Sequence, residues 1–209
     1  VLFVSHNMAA VNSLCDRVVC LDDGKFLWQE SPQKSIEKYL ALSSKRQSLP
    51  LGERNDRLGN DMIKMVGFSI LGKDDIILDT VASGQNIRLV IDYISNEKNI
   101  KDIVCIIILK TIMGQPLFSC STRVSEDYLT LTKEKGRIIC CIDNFPLNEG
   151  SYYIDIMIKK GQDSKLILDG LEQVDLINVT SGDFFGSGKT LNKESSPVLI
   201  SHSWLVKYN

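Results

Sequence analysis

The chain has 209 residues, 44% of them hydrophobic and 24% charged, with 24 Lys and Arg against 26 Asp and Glu. This is a globular composition for one or two units, and a formal net charge of -2 gives no basic footprint for nucleic acid or for an anionic membrane surface. The longest apolar run, Ile103 to Leu109, is far short of the roughly 20 residues that cross a bilayer.

The opening run Val1-Leu2-Phe3-Val4 predicts a buried parallel strand that delivers Ser5, His6 and Asn7 at its C-terminal end, where open α/β sheets place ligand-contacting groups. With no Met at its head, this run reads as the middle of a domain whose earlier part lies outside the chain. A helix over Met8 to Leu14 and strands over Val18 to Leu21 and Lys25 to Trp28 follow, the last two separated by the turn Asp22-Asp23-Gly24. Ser31 suits an N-cap with Pro32 at the first helical position, and Ile36, Tyr39 and Leu40 form an i, i+3, i+4 stripe on a helix expected to end near Ser43. From 43 to 61 the chain is polar and without period, and reads as a linker.

Beyond it, short strands separated by Gly, Asn, Asp and Ser take over. They are expected near Met62–Leu71, Ile76–Val81, Asn86–Ile94, Asp102–Met113, Pro116–Ser121, Arg137–Phe145, Ser151–Lys159, Lys165–Leu168, Val174–Val179 and Val198–Lys207. Regular spacing of this kind implies an antiparallel β-sandwich of the immunoglobulin-like class, preceded by a truncated α/β tail. Alternation places Ile87, Leu89, Ile91 and Tyr93 on one strand face and Tyr152, Ile154, Ile156 and Ile158 on another. The strand from Ile103 to Leu109 is apolar on both faces and needs cover on both, from a ligand, a second chain or a flanking segment. A second copy is the favoured cover.

Cys15, Cys20, Cys105, Cys120, Cys140 and Cys141 show no C-x-x-C spacing, and most lie within apolar strand patterns, so packed reduced thiols of a cytoplasmic protein are expected. His6 and His202 are the only histidines, and no metal site is expected. Gly186-Ser187-Gly188-Lys189-Thr190 imitates the end of a phosphate-binding P-loop. Asp183 stands where that motif needs its first glycine, however, and Pro197 precedes a β-pattern where a helix should follow, so the stretch reads as a glycine-rich loop.

Two resemblances add to this reading. Leu2 to Met8, Leu14-Cys15-Asp16-Arg17-Val18, Leu21-Asp22-Asp23-Gly24-Lys25 and Gln29-Glu30-Ser31-Pro32 resemble, in order and spacing, the switch-histidine region of ABC-type ATPase domains. The resemblance implies that His6 is the catalytic switch residue, touching the γ-phosphate of ATP bound with Mg between paired domains. P-loop, signature and acidic strand-end motifs are missing from this chain, so it is expected to be inactive alone and to hold no cofactor by itself. Arg57-Leu58-Gly59, Ser83-Gly84-Gln85, the run from Phe145 to Tyr152 and a terminal strand carrying Trp204 resemble the C-terminal domain of Wzt-like ATPases of polysaccharide exporters. Asp61 stands where that family often has a glycine.

The expected organisation is therefore an ATPase remnant over 1–42, a linker over 43–61 and a sandwich over 62–209. The resemblance implies a polysaccharide of O-antigen type as ligand, a transmembrane permease subunit as partner, a homodimer, and a place at the cytoplasmic face of the inner membrane. The alternative is a sandwich that only dimerises or regulates the ATPase. Binding residues are not supplied by the resemblance. If Tyr93 and Tyr152 point inward, then Arg88, Asp92, Tyr153, Asp155, Met157 and Lys159 point outward. That face mixes an aromatic ring, carboxylates and cations suited to sugars, and it is the candidate glycan groove. A plain solvated face is the competing reading, and Trp204 is open to either a structural or a sugar-stacking role.

Overall fold

The computed structural model describes the chain except residues 6, 23, 162–165, 193–195 and 208–209, and describes 43–47 by backbone alone. In chain order the elements are α1 (Met8–Leu14), β1 (Val18–Asp22), β2 (Lys25–Glu30), α2 (Pro32–Gln47), β3 (Leu58–Gly59), β4 (Ile63–Leu71), β5 (Thr80–Ala82), β6 (Ile87–Ser95), β7 (Ile100–Thr111), β8 (Pro116–Ser121), β9 (Leu129–Leu131), β10 (Lys135–Ile142), β11 (Gly150–Lys160) and β12 (Ile167–Thr180). Among the described residues, β1 and β2 form a two-stranded ladder, and β10-β6-β4 a three-stranded sheet. A seven-stranded sheet follows the order β3-β12-β11-β7-β8, with β5 beside β12 and β9 beside β7. The fold is a mainly antiparallel β-sandwich; β5 is the strand that joins β12 in parallel.

The chain divides into two compact units. One comprises Val1–Phe68, Ile91–Ile138 and Tyr153–Leu176; the other comprises Ser69–Val90, Ile139–Tyr152 and Ile177–Asn209.

In the first unit, Asn7 caps α1 by accepting the Ala10 N–H at 3.1 Å, which satisfies one of the orphan donors of a helix start. Met8, Val11 and Ile36 form a small apolar cluster joined by Tyr39, Leu40 and Met113. The Met8 N–H donates to the Met113 carbonyl at 2.8 Å, which ties the tail to the β7–β8 hairpin. The expected first strand does not form: residues 1–5 pair with no strand among the described residues, and Leu2 and Val4 are exposed. A parallel strand without a neighbour leaves its backbone groups unpaired, so the apolar run alone does not create one.

Helix α2 runs to Gln47, past Ser43. The stretch after it, expected to be a linker, is bound to the sheet instead. Leu51 and Arg54 are buried, and β3 pairs with β12 through Leu58 and Gly59. Arg57 donates to Asp169 at 2.6 Å, to the Leu51 carbonyl at 2.6 Å and to the Met65 carbonyl at 3.3 Å. Asp169, 1% exposed, also accepts the Met65 N–H at 2.7 Å. Burial pushes its carboxyl above the usual range, against the pull of that N–H and of Arg57. Gly59 lies at φ +143, where a Cβ would come within 2.3 Å of the Leu168 carbonyl oxygen. Asp61, at φ +62, holds the left-handed conformation that glycine favours.

The second unit is built on tight backbone approaches. The Ser83 hydroxyl donates to the Leu147 carbonyl at 2.7 Å, and Gly84, at φ +83, leaves room for the backbone of Phe184. The Tyr152 hydroxyl donates to the carbonyl of Asn148 at 3.0 Å, four residues upstream, the arrangement of the tyrosine corner of immunoglobulin-like sandwiches. The alternating residues of β6 and β11 are buried as expected. The strand expected over 198–207 is absent among the described residues. Val198 makes one isolated bridge to Leu147, and the chain then leaves the sheet.

Candidate functional site

The first unit's site grows out of an irregularity in β12. Gln173 sits at φ +50, a left-handed conformation that costs of order 1–3 kcal/mol and persists only where its surroundings enforce it. Two charged side chains do so. Arg54 donates to the carbonyls of Gln173 at 3.0 Å and Glu172 at 2.7 Å, and Asp155 accepts the Gln173 N–H at 2.8 Å. The same guanidinium grips Asp56 with both arms, at 3.0 and 2.7 Å, and Lys110 pairs with the second oxygen of Asp155.

Beside this chain of charges lies a groove of about 390 Å³, within the range of small-ligand sites. Ile108 and Lys110 from β7, Asp155 and Met157 from β11, and Leu21, Leu27, Tyr39 and Leu42 from the tail line it. It combines one aromatic ring, an apolar wall and paired, partly buried charges. Such groups can hold a polyhydroxylated ligand by stacking and by charge-assisted hydrogen bonds.

The residues expected on one outward face are dispersed. Tyr153 and Asp155 are both 6% exposed, so this part of β11 is covered and not a solvated platform. The physical reason is the tail: its apolar residues line the groove together with Asp155 and Met157, which shields that face. Burial also raises the pKa of the Tyr153 hydroxyl. Asp155 alone of the five reaches the groove. Lys159 is half-buried farther along β11, and Asp92 is engaged by the Arg137 Nε at 2.9 Å. Arg88 belongs to the second unit, where it pairs with Asp75 at 2.7 Å and donates to the Gly72 carbonyl at 2.8 Å. His6 lies outside the described residues. Ile108 is likewise covered by the tail, a flanking segment in the place where a second copy was favoured.

Arg54, Asp56, Lys110 and Tyr39 were not singled out in the sequence. The available signal was two arginines and an aspartate within four positions of a supposed linker, more charge than a mere spacer requires. In the second unit the glycine-rich loop is closed to phosphate by its own residue. Asp183 accepts the N–H groups of Ser187 at 2.9 Å and Gly188 at 2.7 Å, the donors that a P-loop would turn toward an anion. Among the described residues no group of three or more His, Cys, Asp or Glu side chains could hold a metal ion, and no helix is long and apolar enough to cross a membrane.

The family model of the Wzt C-terminal domain matches residues 54–189, starting at the arginine that clamps β12. The chain belongs to the Wzt C-terminal domain family. A crystal structure of the C-terminal domain of Wzt superposes on this Wzt-family chain with a TM-score of 0.55 at 18% identity, covering 75% of this chain and 95% of that one. At that identity it supports the fold. A CARDB domain from Pyrococcus furiosus in complex with di-metal ions (10% identity, 60% of this chain and all of that one, TM-score 0.31) and a β-glucosidase from Listeria innocua in complex with glucose (6%, 56% and 16%, TM-score 0.29) are too distant to carry an argument. No curated protein matches the chain.

Proposed function

We propose that this chain is the C-terminal part of the ATP-binding subunit of an ABC exporter of cell-surface polysaccharide, and that its sandwich binds the glycan to be exported. The observation that carries the glycan reading is the groove, where Tyr39 and a continuous run of paired charges converge in a chain of the Wzt C-terminal domain family. In the complete subunit ATP and Mg would be bound by the missing part, and His6 would position the attacking water. A permease subunit and a second copy would complete an assembly at the cytoplasmic face of the inner membrane. The specific feature favouring the alternative, a domain that only dimerises, is the run of exposed apolar side chains Ile200, Leu205 and Val206.

The test is calorimetry of the full chain against purified bacterial polysaccharides of neutral hexose, 6-deoxyhexose and N-acetylhexosamine composition. One of them should bind, and Lys110→Met should weaken that binding about tenfold or more, the loss of one charge-assisted contact. Absence of binding to every polysaccharide, with a dimer in sedimentation, would favour the alternative. Normal binding by Lys110→Met would move the site out of the groove.

A further inference from the structure

The second unit carries a row of aromatic rings that the groove does not use. Phe184 and Phe185 meet edge to face, with centroids 5.0 Å apart and planes at 83°. Phe185 then meets His202 at 5.3 Å and 74°, and His202 meets Trp204 at 5.7 Å and 87°. Two distant segments are thereby joined into one ladder. Its inner end is anchored: Phe184 is buried, and its backbone sits so close to Gly84 that a Cβ there would lie 2.8 Å from the Phe184 Cα. The preceding Gly182 is pressed on Ser83, where a Cβ would fall 2.1 Å from the carbonyl oxygen. The outer rings are open, with Phe185 41% and Trp204 90% exposed. The His202 ring is fixed by Nδ1 against the Ile200 carbonyl at 2.9 Å.

We infer that Phe185, His202 and Trp204 form a sugar-stacking platform, a second contact for the polysaccharide in addition to the groove. This rests on the glycan-binding reading above. In an edge-to-face series the ring planes turn by roughly a right angle at each step, so the outer rings keep a π-face free. The electron-rich face of an indole or phenyl ring attracts the weakly positive C–H surface of a pyranose. Because the inner end is locked by two glycine contacts, little ordering entropy is lost when a ligand arrives. The loop that follows Phe185 adds exposed hydroxyls of Ser187 and Thr190 and the amine of Lys189, which suit sugar hydroxyls. The chain's net charge of -2 disfavours a nucleic acid as the stacked ligand. A polysaccharide offers many repeats, so one chain can occupy two contacts.

The test uses the same polysaccharide panel with the full chain. Trp204→Ala and Phe185→Ala should each lower the affinity for the bound polysaccharide about tenfold without changing the thermal midpoint, while Phe26→Ala, an exposed aromatic of the tail, should leave it as it was. In a Trp28→Phe background the fluorescence of Trp204 should shift to shorter wavelength on titration with that polysaccharide. If the wild type binds and both ladder variants bind equally well, with no spectral shift, the platform is refuted and the glycan reading stands. If the wild type binds no polysaccharide, both fall. Conversion of a dimer to a monomer by Trp204→Ala, with unchanged affinity, would instead assign the ladder to contact between copies and overturn the platform.

Discussion

Residues 51–61 and residues 198–207 invert the usual relation between polarity and burial. The first segment carries two arginines and two aspartates, yet Arg54 is 3% exposed and Arg57 is largely enclosed. The second carries Ile200, Trp204, Leu205 and Val206, and all four stand in solvent. Hydrophobicity alone would exchange their places. What decides is whether the backbone finds partners. The arginines satisfy carbonyls and carboxylates of β12 that would otherwise be buried without donors, whereas the terminal segment meets the sheet at Val198 and Leu199 and then finds no edge to join.

If the first segment is held by charge, its partners should be expensive to remove. Asp169→Ala leaves the Arg57 guanidinium enclosed without its counter-charge and the Met65 N–H without an acceptor. Loss of one member of a buried pair costs about 3–5 kcal/mol. Urea unfolding of Asp169→Ala should therefore show the midpoint of a severely destabilised protein at unchanged slope. A midpoint within experimental error of wild type would mean that the pair is solvated and that residues 51–61 are a tether after all.

A smaller loss is expected from Arg54→Ala. Asp56 is partly exposed and can turn to water, so the main cost is two strand carbonyls left without a donor, about 1–3 kcal/mol. The left-handed Gln173 should relax as well. Hydrogen exchange at the Gln173 amide, which Asp155 accepts, should speed up more than at Ile154 in the middle of β11. Equal protection in the variant would show that Asp155 holds the irregularity unaided.

Much of the sandwich was legible because one face of a strand repeats every second residue. Ile87, Leu89, Ile91 and Tyr93 locate β6, and Tyr152, Ile154, Ile156 and Ile158 locate β11, with no knowledge of what they touch. The start of α2 was legible for a local reason too, since Ser31 and Pro32 are cap chemistry. The Arg54 clamp was not, because its partners lie 118 and 119 residues away, and Arg57 reaches Asp169 across 112. No window along the chain contains both ends of such a pair. β12 was read as two strands because Asp169-Gly170 and Gln173 look like turn residues. In the structure they are the salt-bridged Asp, the glycine beside β3 and the left-handed residue of one continuous strand. Asp61 was noted as a departure from a glycine, and its φ of +62 supplies the reason a glycine suits that position.

The smallest effect should come from the segment that looks most hydrophobic. Burial of an apolar side chain is worth about 25 cal/mol per Å² removed from water, and a side chain that keeps most of its surface in solvent gains little of this. Trp204 keeps 90% of its surface exposed and meets the rest of the chain by an edge-on contact with His202, itself exposed. Trp204→Ala should therefore change the stability of the full chain by no more than about 0.5 kcal/mol, the range of ordinary surface substitutions, while Asp169→Ala changes it by several. Denaturant unfolding of the two variants side by side gives the ratio directly, at a concentration low enough that association does not contribute. A loss above about 2 kcal/mol for Trp204→Ala would mean that the terminal segment is packed in solution. It would then have found the sheet edge that it lacks here, and the contrast with residues 51–61 would disappear.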